Sequence, residues 1–255
     1  MSDSATATPD DAIGPLDPVI TVRSGGVERT LDVYSREGFL ALADLWTRAG
    51  WQQKISYEVT WLGIPIIQLP EDILMVQELV WRLRPDVVVE SGIAHGGALV
   101  LYASLLELLG RGHVIGVDVE IRKYNRLAIE AHPMSKRITL IEGSSTDEAT
   151  LAQVKAGIRP DDSVLVLLDS NHTKEHVRAE LEMYAPLVAP GGYVVVFDSV
   201  MTMVHDAPNG KPTWTDDNPS AAVDDFLATH PEFARDTSYE RLEVTYCRGG
   251  FLRRS

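Results

Sequence analysis

Residues 87–97 read VVVESGIAHGG, and this stretch decides the fold because it begins as a strand and ends as the start of a helix. Its three valines form an apolar, β-branched run that is typical of a strand buried on both faces. The apolar residues that continue to Gly110 have the length of a helix. One acid, Glu90, and three glycines lie between the two elements, so we expect a tight strand-to-helix turn.

The same alternation continues along the chain. Apolar runs resembling that strand alternate with helical stretches at 97–110, 121–132, 146–157 and 173–188. This pattern predicts a parallel sheet covered by helices on both faces. Two final runs, FARDTSY and EVTYCRGGFLRR, have no helix between them and predict an antiparallel hairpin at the sheet edge. We therefore expect an α/β fold with a doubly wound, mostly parallel, seven-stranded sheet.

The chain before this sheet divides into two further segments. Residues 1–17 are rich in Ser, Thr, Asp and Pro and are predicted to be a disordered tail. Residues 18–84 predict a hairpin around Gly25 and Gly26, followed by amphipathic helices that form a cap or lid. The main domain is then expected at residues 85–255.

Composition restricts the class of partner. The 255 residues carry a net charge of −14, which disfavours nucleic acid and anionic membrane surfaces as partners. Cys247 is the only cysteine, so an intramolecular disulfide and a thiolate zinc site are excluded. The N-terminus lacks the pattern of a secretory signal, and no apolar run approaches the roughly 20 residues of a membrane span. We expect a cytoplasmic enzyme with a small-molecule substrate.

Acidic side chains end the first two strands of the predicted sheet, where doubly wound folds bind their ligands. Glu90 precedes Gly92 and Gly96 in a spacing that differs from the dinucleotide motif G-x-G-x-x-G. A carboxylate there repels a pyrophosphate and attracts an ammonium or sulfonium group, although a tight turn with a solvated Glu is the alternative. Asp118 can accept both hydroxyls of a ribose. Together the two acids indicate a nucleoside ligand without a diphosphate.

Polar residues also follow the third strand. Ser144 and Ser145 could bind the edge of an adenine, while Ser145 or Thr146 could equally cap the next helix. His95 is expected to line the cofactor turn after the first strand.

Asp169 and Asp198 end the fourth and fifth strands and are expected to lie side by side. Two such carboxylates repel each other unless one is protonated or a cation lies between them. Ser199 adds an oxygen, and oxygen ligands favour Mg²⁺, although each acid could instead cap a helix or face water. His172 is placed to take a proton from a metal-bound hydroxyl. His176 and His95 are the alternative bases, although the helical position of His176 favours a surface or packing role and His95 is expected at the cofactor turn.

Several motifs of the sequence resemble one known family. TWLGIPIIQLPEDI, ESGIAHGG, IEGSS, LDSNHTKEHV and VVFDS are similar to motifs of the cephalosporin hydroxylase family, which includes rhamnosyl O-methyltransferases. The resemblance runs from about Tyr57 to the C-terminus and implies the Rossmann-like fold of class I S-adenosylmethionine-dependent methyltransferases. One difference is that Phe197 stands where some relatives carry an acid, which leaves two carboxylates rather than three for a metal.

The resemblance also implies a role for each site residue. Glu90 would bind the amino end of S-adenosylmethionine, and Asp169 and Asp198 would bind Mg²⁺. Asp169 would also border the cofactor and act in catalysis with His172. The full predicted set is Glu90, Gly92, His95, Gly96, Asp118, Ser144, Ser145 and Asp169 for the cofactor, Asp169, Asp198 and Ser199 for the metal, and His172 and Asp169 for catalysis.

These expectations combine into one predicted activity. It is the Mg²⁺-dependent transfer of a methyl group from S-adenosylmethionine to a hydroxyl of a sugar or glycosylated natural product. The alternatives are an oxidoreductase or hydroxylase, and a non-catalytic adenosylmethionine-binding partner protein. Residues 200–219 are the expected lid. Trp61 and Trp214 are candidate aromatic walls that could equally be ordinary core or interface residues. Apolar helices in the N-terminal segment predict a homo-oligomer.

Overall fold

The computed structural model describes residues 16–255, so most of the predicted tail lies outside the described residues. The chain forms two compact units, of which the first ends at Leu45 and the second is Trp46–Ser255. In the first unit, β1 (Val19–Ser24) and β2 (Val27–Asp32) pair as the predicted antiparallel hairpin. Helix α1 (Arg36–Gln53) begins in this unit and ends in the second.

The second unit contains the predicted seven-stranded sheet. A short antiparallel pair, β3 (Thr60–Trp61) and β4 (Ile64–Pro65), precedes it. The seven strands are β5 (Val87–Ser91), β6 (His113–Asp118), β7 (Ile138–Glu142), β8 (Val164–Leu168), β9 (Tyr193–Val196), β10 (Phe233–Arg235) and β11 (Phe251–Arg254). Their order in the sheet is β10-β11-β9-β8-β5-β6-β7. Five central strands are parallel and β11 pairs antiparallel with both β9 and β10, so the mostly parallel sheet and its terminal hairpin are confirmed.

Helices cover both faces of this sheet. They are α2 (Pro70–Leu83), α3 (Gly97–Leu109), α4 (Lys123–Ala131), α5 (Glu148–Ala156), α6 (Lys174–Tyr184) and α7 (Pro219–Thr229). Successive strand residues point to opposite faces, so Val88 joins one hydrophobic core while Val87 and Val89 join the other. Both faces of β5 are buried in this way, which explains why its first three residues are all apolar. Within residues 16–255 no helix is both long and apolar enough to span a membrane.

Two local predictions are corrected by the structure. Helix α5 begins at Glu148 with Asp147 at its N-cap, so neither Ser145 nor Thr146 caps it. The run EVTYCRGGFLRR becomes a strand only at Phe251. Its earlier part is bound instead by Asp72 of α2, whose buried carboxylate accepts hydrogen bonds from Thr245 Oγ1 and, at 2.9 Å, from the amide of Tyr246. Burial raises the pKa of Asp72 to about 7.

The predicted lid, residues 200–219, contains short helices rather than extended loop. Two 3₁₀ helices lie at Ser199–Met203 and Pro212–Thr215. Asp206 binds Arg48 at 2.8 Å, and the Asn209 amide donates to Gln52 Oε1 at 3.0 Å. The segment is therefore held against the end of α1, and its function as a lid stays a prediction.

The turn after β5 brings two strand ends into unusually close contact. Gly92 has a φ of 91°, and a Cβ built on it would lie 2.0 Å from the carbonyl oxygen of Asp169. Ala94 and Gly96 also have positive φ values, 46° and 92°. Glycine at position 92 is thus required twice, by its backbone conformation and by the neighbouring backbone.

We predict that Gly92→Ala strongly destabilises the protein. Gly191→Ala is the matched control, because Gly191 also has a positive φ, 85°, but has open space where the Cβ would be. In the control, the free energy of unfolding should fall by roughly 1–2 kcal/mol because of the backbone conformation alone. In Gly92→Ala it should fall by about 2 kcal/mol more, because the new methyl group meets backbone atoms that must move. Urea unfolding of both variants measures the difference, and equal losses would contradict the predicted clash.

Candidate active site

Two cavities open at the carboxyl ends of the parallel strands. The first has a volume of about 330 Å³, and the second, of about 360 Å³, lies beside it. Gly92, Ala94, Asp169 and Ser170 belong to the walls of both. The sheet edge therefore offers one continuous groove with two compartments, and the turn after β5 lies between them.

Glu90 lies completely buried at the end of β5. Its Oε1 accepts a hydrogen bond of 3.0 Å from the hydroxyl of Tyr102, while no group within residues 16–255 bonds its Oε2. Burial, reinforced by the nearby Asp118, raises the pKa of Glu90 to about 8 although the Tyr102 bond lowers it. A buried carboxylate with one unused oxygen is suited to a cationic ligand.

Gln68 is a site residue that the sequence analysis did not identify. It lines the first cavity and is buried, and its Nε2 donates to the Tyr102 hydroxyl at 3.4 Å. Its Oε1 has no partner among the described residues. The only sequence signal was a single amide inside the apolar run IIQLP. Gln68 and Glu90 are thus both hydrogen-bonded to the Tyr102 hydroxyl, and each has one side-chain oxygen, Oε1 of Gln68 and Oε2 of Glu90, that is left without a donor among residues 16–255.

Asp118 has a second role beside the one that its position predicted. Its Oδ2 accepts hydrogen bonds from the amides of Ile93 and Ala94, at 2.8 and 3.3 Å. The carboxylate therefore stabilises the strained turn, and it also lines the second cavity. His95 lines the first cavity, and its Nδ1 lies 3.3 Å from Asn125 Oδ1.

The second cavity is polar on the side of the third strand. Ser144 and Ser145 both line it, as does His176 of α6. Ser144 Oγ lies 3.0 Å from Thr146 Oγ1, and Ser145 Oγ lies 3.1 Å from His176 Nε2. His176, which was expected at the surface or in packing, is thereby a neighbour of a predicted cofactor ligand.

Asp169, His172 and Asp198 form the one group of three metal-ligating side chains found within residues 16–255. Each offers one ligand atom, and these atoms lie within 4.8 Å of one another. His172 Nε2 is 3.2 Å from Asp198 Oδ2. Burial, then the charges of Asp198 and Glu90, raises the pKa of Asp169 well above its usual range, against a lowering hydrogen bond from Gln68. Such a cluster fits a divalent cation, which would relieve the repulsion.

Asp198 occupies an uncommon backbone conformation. Its φ of 53° lies in the left-handed region, which Asp tolerates better than most residues. It directs the chain from β9 into the Ser199–Met203 helix. Ser199 is buried and donates to the carbonyl of Tyr246 at 3.4 Å, so its predicted place in the metal site stays a prediction. Phe197 is buried in the hydrophobic core.

The aromatic wall differs from the expected one. Trp61 donates from Nε1 to Ser104 Oγ at 3.1 Å, and its ring packs against the hydrophobic core. Trp214 does not line the first cavity. Trp51 lines the first cavity instead, with Tyr57 and Tyr246. The Trp51 ring meets Trp214 and Tyr246 edge to face, with centroids 5.8 and 5.2 Å apart.

Comparison with known proteins identifies relatives of the chain. The family model for rhamnosyl O-methyltransferase/CmcI matches residues 53–255. A rhamnosyl O-methyltransferase of Mycobacterium bovis is 30% identical over 147 residues, which cover 56% of this chain and 57% of the relative. One of Mycobacterium leprae is 27% identical over 200 residues, covering 76% and 82%. The first match thus spans little more than half of the relative's length.

Solved structures agree with this assignment at the level of the fold. A structure of CmcI with Mg and SAM has a TM-score of 0.55 at 20% identity, over 78% of this chain and 77% of that one. An apo structure of CmcI has a TM-score of 0.57 at 20% identity, over 78% and 76%. An O-methyltransferase of Bacillus cereus in complex with SAH gives 0.51 at 16% identity, over 80% and 84%. The family match covers most of the chain, so this protein belongs to the rhamnosyl O-methyltransferase/CmcI family.

Proposed function

We propose that the protein transfers the methyl group of S-adenosylmethionine to a hydroxyl of a sugar or of a glycosylated small molecule, with the help of Mg²⁺. The observation that carries this proposal is the cluster of Asp169, His172 and Asp198, whose three members line the first compartment and whose Asp169 also borders the second. A methyl donor with its nucleoside in the second compartment and its amino end at Glu90 and Gln68 would bring its methyl group to a hydroxyl held in the first compartment. The names of the relatives support a sugar acceptor.

The residues of the groove fit S-adenosylmethionine, which supplies an electrophilic methyl group when bound. Gln68 lines the first compartment, and Glu90, which is fully buried and lines neither, is joined to it through the Tyr102 hydroxyl. Each carries an acceptor oxygen without a partner among residues 16–255, and an ammonium group would satisfy both. Asp118 lines the compartment that would hold the ribose, and Ser145 lies on the same wall. Gly92 and Gly96 allow the positive φ values and the close packing against Asp169 and Ile129 that shape the turn beside the proposed cofactor site.

The same site fits a hard divalent cation. Asp169 and Asp198 would hold it through carboxylate oxygens, which are ligands that Mg²⁺ prefers. Bound there, Mg²⁺ lowers the pKa of an acceptor hydroxyl and orients it. Asp169 also borders both cavities, so a cation bound to it would lie next to both the acceptor and the donor.

We assign His172 as the general base. Its Nε2 faces a carboxylate oxygen of Asp198 and carries a hydrogen in this contact, so it can neither bind a cation nor accept a proton. Nδ1 would therefore take the proton of the acceptor hydroxyl. A carboxylate 3.2 Å from Nε2 orients the ring and stabilises the positive charge that the ring gains with the proton. The base is thereby held at the metal site without having to be a ligand.

The first compartment suits an acceptor with a ring and several hydroxyls. Trp51 and Tyr57 present apolar ring faces, and Lys54, Ser56 and Asn209 present polar groups. A pyranose has apolar C–H faces and a polar edge, so both kinds of group are used. We expect the sugar to lie against Trp51 with its reacting hydroxyl directed at Asp169 and Asp198.

Calorimetry with S-adenosylhomocysteine, S-adenosylmethionine and NAD⁺ tests the cofactor class. We expect both adenosyl compounds to bind and NAD⁺ to give no heat, because the turn after β5 lacks the G-x-G-x-x-G pattern that binds a pyrophosphate. Methyl transfer to a simple rhamnoside, followed by mass spectrometry with and without EDTA, then tests the reaction. Binding of NAD⁺ alone would exclude the proposal, and turnover that survives exhaustive chelation would exclude the catalytic metal.

The role of His172 is tested by His172→Ala and His172→Gln. Glutamine keeps a polar contact to Asp198 but cannot take a proton at neutral pH. We expect both variants to lower kcat by about 10²–10⁴-fold, because neither can take the proton of the acceptor hydroxyl. The Mg²⁺ concentration that gives half-maximal activity should stay the same. A large rise in that concentration, with kcat restored at saturating Mg²⁺, would instead make His172 a metal ligand.

Glu90 makes cofactor binding depend on pH. With its pKa at about 8, it is mostly protonated at pH 7, and an ammonium ligand binds its charged form. S-adenosylhomocysteine should therefore bind with release of a proton, and its affinity should rise as the pH is raised towards 8. Calorimetry without metal, in buffers of different ionisation enthalpy, measures this proton.

The matched variants are Glu90→Gln and Glu175→Gln. The first should bind more weakly and release no proton, since it cannot ionise. The second changes an exposed glutamate and should behave as the unaltered protein does. Unchanged proton release in Glu90→Gln would contradict the assignment.

A further inference from the structure

Four polar side chains form a chain from the core of the protein to the wall of the second cavity. Glu180 of α6 is completely buried, and its Oε1 accepts a hydrogen bond of 2.7 Å from Ser170 Oγ. His176 Nε2 lies 3.2 Å from Ser170 Oγ, 3.5 Å from Glu180 Oε1 and 3.1 Å from Ser145 Oγ. Both Ser145 and His176 line the cavity that would hold the nucleoside. The proposed methyl-transfer reaction does not use Glu180 or His176.

The protons in this chain can be assigned. Ser170 has one hydroxyl proton, and it is donated to Glu180, so towards His176 the Ser170 oxygen can only accept. The nearby oxygen of Glu180 is also an acceptor. His176 Nε2 faces both oxygens and therefore carries a proton, whether the imidazole is neutral or charged.

The assignment determines what Ser145 can do. Its oxygen accepts from His176 Nε2, and His176 is its only hydrogen-bond partner in the part of the chain that the structure describes. The hydroxyl proton of Ser145 is then left for a ligand. Ser144 is less suited to this task because its hydroxyl pairs with that of Thr146 at 3.0 Å and either of the two can be the donor, so the direction of its proton is not fixed.

We infer that His176 is a positioning residue that fixes Ser145 as a hydrogen-bond donor to one ring nitrogen of the adenine of the cofactor. This inference rests on the proposed function, since it requires an adenosyl ligand in the second cavity. Adenine offers lone pairs at N1, N3 and N7, and a hydroxyl held as a donor selects a base with a lone pair at the matching place. Glu180 and Ser170 keep a proton on Nε2 of His176, the ring nitrogen that faces Ser145.

The test uses S-adenosylhomocysteine and its 1-deaza, 3-deaza and 7-deaza analogues, each of which lacks one ring nitrogen. We expect the unaltered protein to bind one analogue roughly three- to tenfold more weakly than the other two, as expected for one lost neutral hydrogen bond. Ser145→Ala should bind S-adenosylhomocysteine more weakly by the same factor and should no longer distinguish the analogues.

The His176 variants separate positioning from a merely structural role. His176→Phe should lose the discrimination, whereas His176→Gln, which keeps an N–H donor, should retain it even if its melting temperature falls. The double variant Ser145→Ala/His176→Phe should bind no more weakly than Ser145→Ala, because His176 acts through Ser145.

The outcomes are distinguishable. If the unaltered protein binds S-adenosylhomocysteine but binds all three analogues equally well, the inference is wrong and the proposed function stands. Retained discrimination in His176→Phe, or additive losses in the double variant, would also overturn it. If S-adenosylhomocysteine itself does not bind, the proposed function fails and the inference fails with it.

Discussion

The active site depends on the contact between Gly92 and the backbone of Asp169. Because Gly92 has no side chain, the turn after β5 lies directly against the end of β8, where a Cβ would be only 2.0 Å from the Asp169 carbonyl oxygen. This contact gives the two cavities a common wall. In the proposed reaction, a donor held at the β5 turn and an acceptor held at the end of β8 would therefore be adjacent, and packing of backbone against backbone would set the distance that the methyl group crosses.

The same contact concentrates negative charge. Glu90, Asp169 and Asp198 lie at the ends of three neighbouring strands. Burial raises the pKa values of Glu90 and Asp169; the charge of Asp118 adds to the first shift, and the charges of Asp198 and Glu90 add to the second. Asp72 adds a further buried carboxyl whose pKa is raised to about 7. Removing such groups from water is unfavourable unless cations compensate them. A cationic methyl donor and a divalent metal would each neutralise part of this charge, so their binding would reduce the repulsion among the buried carboxylates.

The sheet and its acids could be predicted from sequence because they follow from local patterns and one topological rule. Apolar runs alternating with helices predict parallel strands, and the carboxyl ends of neighbouring strands meet at one edge, which places Asp169 beside Asp198. Gln68, Trp51 and His176 could not be assigned in this way. Each reaches the site from a helix or a short connection, and its direction depends on long-range packing that no periodicity records. The loop at residues 244–250 failed as a strand for the same reason, since Asp72 of a distant helix takes its hydrogen bonds.

The histidines illustrate how position on the fold separates roles that residue type cannot. His95 lies in the β5 turn against Asn125, away from the acid cluster. His172 lies just before α6 and contacts Asp198, whereas His176, inside that helix, turns towards Ser145 and Glu180. The two histidines of LDSNHTKEHV thus face different compartments of the groove. In the proposed reaction, one short motif would supply a base for the acceptor side and a positioning group for the donor side, and a shift of α6 would disturb both.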